Sequence, residues 1–234
     1  MARHFKLTNE TKINIFGVTL FRIECAIDCK WAKVGDKGGW VEKEDNLSGN
    51  AWVYGNAEVS GNARGSGNAE VSGNAWVYGN ARVSGNARVS GNARVSGNAE
   101  VSGNARVYGN ARVSGNASVY GNAEVYGNAS VYGNAEVYGN ASVSGNARVS
   151  GNAWVSGNAR VSGNPDYCCF QSFGTCGRTT TAFKEKDGNI RIRCGCFGGT
   201  IEEFLNKVTE THGDSKLGRE YKAIVDVIKI KFSE

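Results

Sequence analysis

The chain contains very little proline, methionine or histidine. Of 234 residues one is Pro, one is Met and two are His, while 33 are Gly. The histidines, His4 and His212, stand near opposite ends, so the long middle of the sequence lacks the side chain that most often transfers protons near neutral pH. The abundant Gly follows a strict period of six, which excludes both collagen, with Gly at every third residue, and an aperiodic linker.

A segment with a strong excess of charge is also missing. The formal net charge is +5, and residues 1–48, 49–164 and 165–234 carry 8 basic and 7 acidic, 8 and 5, and 11 and 10 groups. No part is basic enough to predict nucleic-acid binding, and the repeat region is net basic, which disfavours DNA mimicry. We therefore expect no nucleic-acid partner.

Long apolar runs are absent as well. Met1 to Phe5 lacks the apolar core of a signal peptide, and no apolar run approaches the roughly 20 residues of a membrane span. We expect no membrane association and a cytoplasmic location. The seven cysteines are an odd number, which fits free thiols in a reducing compartment.

What the sequence does have is a six-residue repeat, Gly-Asn-Ala-x-Val-[Ser/Tyr]. Gly recurs at every sixth position from Gly49 to Gly163, and Asn follows it each time. The Val position is broken once, by Gly65, and the Ala position once, by Pro165. No residue is inserted between steps. A period of six does not match the α-helical 3.6, and Gly in every step would cost a helix about 1 kcal/mol each.

The repeat predicts a β-solenoid. Side chains alternate across a strand, so Ala and Val point inward while x and Ser/Tyr point outward. Gly and Asn tolerate the positive φ of a corner. Three strands and three corners close a coil of 18 residues, and coils stack about 4.8 Å apart, giving about six and a half coils. We expect Ala and Val to form a dry core, Asn to hydrogen-bond between coils, and Gly65 to leave a void at the weakest point of the shaft.

Two features carry a family resemblance. The repeat Val-[Ser/Tyr]-Gly-Asn-Ala-x resembles the hexapeptide repeat of left-handed β-helices, which implies left-handed coiling. The entry Lys37-Gly38-Gly39-Trp40-Val41-Glu42 with Asn46-Leu47-Ser48, and the C-terminal motifs at 193–200 and 211–214, resemble bacterial, phage and prophage proteins, some labelled acyltransferases. The resemblance implies a bacterial host cell. Relatives often form trimers, so the resemblance implies a homo-oligomer and suggests a homotrimer packed along the shaft.

The predicted fold is mainly β, a single-stranded left-handed parallel β-helix of triangular section with a cap at each end. We assign residues 1–39 to an N-terminal β cap, 40–166 to the solenoid and 167–234 to a small C-terminal α+β domain. Strands are expected near 18–23, 179–183 and 190–194, and helices near 201–211 and 216–230. Thr200 and Glu203 form a capping-box pattern before the first helix.

Catalytic and metal sites have weak candidates. Acyltransferases of this fold use a His at a subunit boundary and a loop between coils, and this shaft has neither, so His212 is the remaining candidate. Five cysteines lie close in sequence, but Cys-Cys and Cys-x-Cys do not match zinc-knuckle spacing, and neighbours on a strand point to opposite faces. We expect buried thiols and no cofactor. The weak metal candidates are Cys168, Cys169, Cys176, Cys194 and Cys196.

The outward x positions form one column on each face of the prism. The column of face 1 contains Trp52, Glu70, Arg88, Arg106, Glu124, Ser142 and Arg160. The column of face 2 contains Glu58, Trp76, Arg94, Arg112, Ser130 and Arg148. The column of face 3 contains Arg64, Arg82, Glu100, Ser118, Glu136 and Trp154. Two pairs of stacked arginines, Arg88 with Arg106 and Arg94 with Arg112, could bind an anion, or the columns could be a solvated mixed-charge surface.

Tyrosine replaces Ser in the later coils, on all three faces. Exposed Tyr is enriched at interfaces, although stacked, solvated rings are an equal alternative. The residues are Tyr108, Tyr120, Tyr126, Tyr132 and Tyr138. We interpret the chain as a non-enzymatic structural or interaction protein of phage or prophage type that self-associates and binds a host protein. The alternatives are an acyltransferase-like enzyme and a binder of a small anionic ligand or a host factor at a subunit groove.

Overall fold

The computed structural model describes residues 3–233; residues 1, 2 and 234, in the predicted end segments, lie outside the described part. The N-terminal cap contains three strands, β1 Phe5–Ile13, β2 Thr19–Cys25 and β3 Lys37–Val41. Strands β1 and β2 pair antiparallel, and β2 pairs antiparallel with β3. Strand β3 then pairs parallel with the shaft, with Trp40 opposite Glu58 and Val41 opposite Val59.

The shaft consists of two-residue strands separated by turns, each strand formed by the x and Val positions of one repeat. Corner glycines have positive φ; at Gly97, for example, φ is +67°, and a Cβ atom would come within 3.0 Å of the Gly115 backbone. The strands are β4 Trp52–Val53, β5 Glu58–Val59, β6 Arg64–Gly65, β7 Glu70–Val71, β8 Trp76–Val77, β9 Arg82–Val83, β10 Arg88–Val89, β11 Arg94–Val95, β12 Glu100–Val101, β13 Arg106–Val107, β14 Arg112–Val113, β15 Ser118–Val119, β16 Glu124–Val125, β17 Ser130–Val131, β18 Glu136–Val137, β19 Ser142–Val143, β20 Arg148–Val149, β21 Trp154–Val155 and β22 Arg160–Val161.

Each strand pairs in parallel with the third strand after it, so every third strand shares a sheet. Face 1 is the sheet β4-β7-β10-β13-β16-β19-β22, and face 3 is β6-β9-β12-β15-β18-β21. Face 2 joins the cap in one sheet, β1-β2-β3-β5-β8-β11-β14-β17-β20. The predicted parallel β-solenoid, in which three repeats close one coil, is therefore confirmed. Left-handed coiling stays a prediction of the resemblance.

The interior of the shaft is the expected column of small apolar side chains. Every Ala from Ala51 to Ala159 and every Val from Val53 to Val161 is at most 1% exposed. At the corners, the side-chain amide of each Asn donates to the corresponding Asn of the next coil, at 2.9–3.3 Å, in three columns that run from Asn50 to Asn140, Asn56 to Asn146 and Asn62 to Asn152. The predicted Asn hydrogen bonds are confirmed.

The predicted void at Gly65 is wrong. Leu47 bridges in parallel to Gly65, and a Cβ atom added at Gly65 would lie 2.9 Å from Leu47 Cδ2 and 3.4 Å from Ala51 Cβ. The larger Leu of the preceding coil therefore occupies the space that Val would fill. Leu47 is 3% exposed, so the substitution leaves a filled core.

The C-terminal domain is a four-stranded antiparallel sheet covered by two helices. Its strands are β23 Tyr167–Phe173, β24 Arg178–Lys184, β25 Ile190–Cys194 and β26 Phe197–Thr200, and its helices are α1 Ile201–His212 and α2 Lys216–Phe232. At the start of α1, the Thr200 hydroxyl accepts from the Glu203 amide at 3.2 Å, and the Glu203 carboxylate accepts from the Thr200 amide at 2.8 Å. The strands, helices and capping box therefore agree with the predictions within a few residues.

Side chains of β24 and of the turn that precedes β23 close the open edge of the last coil. Thr181 Oγ1 accepts from the Trp154 amide at 3.1 Å, Asn164 Oδ1 accepts from the Arg148 amide at 3.1 Å, and Asp166 accepts from the Ser162 amide at 2.8 Å. Phe183, fully buried, completes the shaft core. The edge is therefore protected from pairing with another strand.

Candidate interaction faces of the shaft

The arginine pair on face 1 is in register but engaged with acidic neighbours. Arg88 lies opposite Arg106 across the β10–β13 pair. Arg88 Nε is 3.4 Å from a Glu70 carboxylate oxygen, and an Arg106 guanidinium nitrogen is 3.6 Å from Glu124. These salt bridges lie on the outer sides of the pair, because Glu70 is one coil before Arg88 and Glu124 is one coil after Arg106. The acids above and below the pair therefore offset the repulsion.

The pair on face 2 is arranged differently. Arg94 lies opposite Arg112, but its guanidinium stands 4.5 Å from the centroid of the Trp76 ring. Within residues 3–233, Arg112 forms no salt bridge. Three of the four arginines proposed as anion ligands are thus already bound to side chains of the same shaft.

The tyrosines form two stacked pairs. Tyr108 and Tyr126 stack on face 1 with centroids 5.0 Å apart and ring planes at 3°, and Tyr120 and Tyr138 stack on face 3 at 5.0 Å and 1°. Tyr132, on face 2, is 39% exposed and is the most exposed of the five. The one-coil spacing of the shaft imposes the ring separation.

The first ring of each pair donates a hydrogen bond to a carboxylate one coil further on. The Tyr108 hydroxyl donates to Glu124 at 3.2 Å, and the Tyr120 hydroxyl donates to Glu136 at 3.0 Å. Burial, together with the neighbouring carboxylate, raises the pKa of Tyr108 and of Tyr120 to about 12. Both hydroxyls are therefore protonated at neutral pH and both rings are held in one orientation.

The C-terminal domain uses one end of the tyrosine surface. The Arg193 guanidinium donates to the Tyr138 hydroxyl and lies over its ring. Ser144 and Ser156 in the last coils are 7% and 4% exposed. Part of the surface that the sequence marked as an interface is therefore an intramolecular contact.

The N-terminal cap covers the early coils of two faces. On face 1, the Tyr54 hydroxyl donates to the Trp31 carbonyl at 2.6 Å, and the Arg88 guanidinium lies 5.7 Å from the Trp31 ring. On face 2, Phe16 at the tip of the β1–β2 hairpin packs against Tyr78, with centroids 5.1 Å apart. Neither set of contacts involves the x column of face 3.

The early coils of face 3 border two depressions that the sequence did not predict. A groove of about 350 Å³ is lined by Ser48, Ser66, Ser84, Arg64, Arg82 and Glu100. It adjoins a cleft of about 780 Å³ at the cap, and both contain Ser48 and Arg64. Arg64 forms no salt bridge within the described chain, and Arg82 contacts Glu100 at 3.5 Å. The sequence signal was the order of charges along face 3, basic first and acidic later.

The candidate metal ligands are dispersed. Cys168 packs against the helices of the C-terminal domain, whereas Cys169 packs against the shaft, so the predicted opposite orientation is confirmed. Burial raises the pKa of the Cys168 thiol to about 11. Cys194 is buried and accepts from the Thr180 hydroxyl at 3.2 Å, while Cys176 and Cys196 are exposed. Among residues 3–233, no group of three His, Cys, Asp or Glu side chains is placed to hold a metal ion.

Both histidines occupy structural positions. His4 Nε2 lies 3.0 Å from the Ala51 carbonyl oxygen and donates to it, and the ring packs against Trp52. His212, at the end of α1, stacks on Tyr221 with centroids 5.6 Å apart. The two lie on different caps at opposite ends of the shaft.

Neither described helix has the length and apolar character needed to cross a bilayer.

One protein-family model matches the repeats of the shaft. The model of the YdcK β-solenoid repeat aligns with residues 75–91, 81–97, 87–103, 99–115, 105–123 and 141–157. The chain is a β-solenoid repeat protein. A comparison with the curated proteins gave no match. The family match lies within the shaft, and in a β-solenoid repeat protein the interior is uniform, so features specific to one member lie in its outer columns and its caps.

Proposed function

We propose that this chain is a non-enzymatic structural and interaction protein of phage or prophage type, which self-associates and displays its side-chain columns to a protein partner in the bacterial cytoplasm. The observation that carries the proposal is the pair of stacked tyrosine columns, with ring planes at 3° and 1°. Rings fixed before binding lose little conformational entropy when a partner covers them. A rigid, aromatic and charged surface therefore suits recognition.

The environments of the two histidines support the same proposal. A general base must reach its substrate, and its pKa must suit proton transfer. His4 is bonded to a backbone carbonyl at the start of the shaft, and His212 is stacked on Tyr221. Both side chains have structural contacts that account for their presence.

Calorimetry with acetyl-CoA tests the non-enzymatic part. We expect no heat of binding at millimolar cofactor, and a saturable heat would favour the acyltransferase-like alternative instead. A His212→Gln variant is the matched control, because loss of that heat in the variant would place the cofactor at α1. Native mass spectrometry of the same sample reports how many chains assemble.

A second candidate function is binding of a small anion, favoured by the groove on face 3. Arg64 and Arg82 are opposite one another across the β6–β9 pair, with serine hydroxyls beside them. An NMR chemical-shift titration with inorganic pyrophosphate would detect such a site. Saturable shifts at the two arginines, lost in Arg64→Gln and kept in Arg112→Gln, would support it.

A further inference from the structure

Face 3 differs from the other two faces because its charge changes sign along the shaft. Its first coils present Arg64 and Arg82, and its later coils present Glu136 and Trp154. The Ser/Tyr positions beside this column change in parallel, from Ser66, Ser84 and Ser102 to Tyr120 and Tyr138. The early half carries two arginines beside small neighbours. The later half carries a carboxylate, Trp154 and two large neighbours, with Glu136 accepting from Tyr120 and with Arg193 of the C-terminal domain bound to Tyr138.

The charges and side-chain sizes of such a face are complementary to those of a second copy whose shaft runs in the opposite direction. We propose that two copies of this chain pack antiparallel through face 3, about a two-fold axis between the levels of Glu100 and Ser118. This inference rests on the self-association in the proposed function and names its surface and partner. A two-fold interface uses the same patch on both copies, so every contact occurs twice.

The axis fixes which residues meet. A two-fold axis in the plane of the face, perpendicular to the shaft, lays each x column on the x column of the second copy in reverse order. Arg82 then lies opposite Glu136, Arg64 opposite Trp154, and Glu100 opposite Ser118. The first contact is an ion pair and the second a cation–π contact.

The neighbouring columns fit as well. The same axis lays Ser102 opposite Tyr120, and it lays Ser84 opposite Tyr138 together with the Arg193 guanidinium that lies over the Tyr138 ring. Small side chains thus meet large ones in both halves of the interface, which favours close packing. Arg82 and Glu100 contact each other at 3.5 Å, but their side chains remain 67% and 52% exposed, so a second copy can still reach both.

Other arrangements fit less well. An axis at the level of Glu100 pairs this carboxylate with itself, and an axis at Ser118 pairs Glu100 with Glu136. Parallel shafts would lay the x column on the Ser/Tyr column, so no opposite charges meet. The early coils of faces 1 and 2 are covered by Trp31 and Phe16 of the cap.

The size of the patch sets the expected affinity. From β6 to β21 the face is about 24 Å tall and a four-residue strand is about 13 Å wide. The contact is therefore smaller than the roughly 800 Å² per partner of a standard interface. We expect a weak dimer that forms at high protein concentration, with each C-terminal domain lying beside the cleft of the second copy.

Sedimentation analysis of the full chain up to about 300 μM tests this inference. We expect Arg82→Glu and Glu136→Arg each to weaken the dimer by about 100-fold or more, because like charges then meet at two sites. Mixing the two variants should restore a heterodimer, since one contact then has its charges exchanged and the other keeps the native pair. Arg112→Glu on face 2 is the matched control and should dimerise like the native chain.

Three results would overturn the inference: a native chain that stays monomeric, a mass of three chains, or two variants that remain monomeric when mixed. Circular dichroism shows whether each variant is folded, and the mixing experiment also tests the surface without requiring either variant to assemble alone. The result of the sedimentation experiment is independent of the result of the acetyl-CoA calorimetry. Acetyl-CoA binding would overturn the non-enzymatic role and leave the dimer standing, whereas a monomer would remove self-association only.

Discussion

Replacing Gly65 with Val restores the repeat but should destabilise the protein. Gly65 lies in strand β6, and φ there is outside the positive region, so the backbone accepts Val without strain. Val is also a better strand former than Gly. On sequence alone the substitution is a repair. The packing reverses this expectation, because the Cβ atom would lie only 2.9 Å from Leu47 Cδ2.

The magnitude follows from the geometry. A Val side chain adds Cβ and two methyl groups to a region that Leu47 and Ala51 already fill. Overpacking a core in this way costs about 1–3 kcal/mol. For a chain of this length that corresponds to a melting midpoint roughly 2–12 °C lower. Leu47→Ala alone leaves a cavity and should cost about 2–5 kcal/mol.

The double variant separates this explanation from a general intolerance of substitutions. With Ala at 47 and Val at 65, the new side chain enters the vacated space, so the double variant should be more stable than the sum of the single effects by about 1 kcal/mol or more. Thermal melts of the four proteins by circular dichroism supply the cycle. A Gly65→Val protein that melts above the native chain would refute the reasoning, as would strictly additive effects.

Three further predictions concern the Asn columns, the tyrosines and the C-terminal edge. Asn98→Ala removes two side-chain hydrogen bonds, to Asn80 and Asn116, and should lower the free energy of unfolding in urea by about 1–2 kcal/mol. Asn146 is at the end of a column and has one such bond, so Asn146→Ala should lower this free energy by about half as much. The pKa values of Tyr108 and Tyr120 are raised from 10 to about 12, so the contribution of the two rings to stability is complete below pH 10 and is lost as the pH rises towards 12. An absorbance titration should show two tyrosines that ionise at higher pH than the others. Glu136→Gln should lower the pH of ionisation of Tyr120 and leave that of Tyr108 unchanged. Thr181→Val leaves the Trp154 amide without its acceptor and should accelerate hydrogen exchange of this amide by about tenfold or more. Thr180 faces the helices, so Thr180→Val should leave the exchange rate of the Trp154 amide unchanged. Equal exchange rates in both variants would contradict the capping role of Thr181.

The shaft could be predicted from the sequence because each step repeats one local solution. Gly permits the corner, Val and Ala alternate with outward residues, and stacking follows from closure of the coil after three repeats. The same regularity explains the error at Gly65. The space beside it is filled by Leu47, which lies one coil earlier, in the irregular entry to the shaft. A repeat consensus describes what each step contributes and not what an exceptional neighbour supplies.

The candidate sites were harder to predict because they depend on contacts between units. The positions of Tyr120 and Tyr138 are evident from the repeat, and their stacking follows from the coil spacing. The repeat does not indicate that Arg193, far along the chain in the C-terminal domain, holds Tyr138. Nor does it indicate which faces the cap covers, since this depends on where Phe16 and Trp31 fold back. The groove at Arg64 lies on the face that Phe16 and Trp31 leave uncovered.

The asymmetry of face 3 has a physical consequence even before any partner binds. A shaft whose interior is the same in every coil gains nothing in stability from ordering its outer charges by height, since a Glu beside each Arg would stabilise it better. Arg64 and Arg82 instead stand together, while Glu136 is three coils beyond Arg82. The distance is too great for these side chains to neutralise one another within one chain. Within residues 3–233 Arg64 forms no salt bridge, and Arg82 has one exposed contact, at 3.5 Å to Glu100. An order of charges that brings these arginines to Glu136 and Trp154 only when a second copy is inverted is better explained by assembly than by the stability of the single shaft.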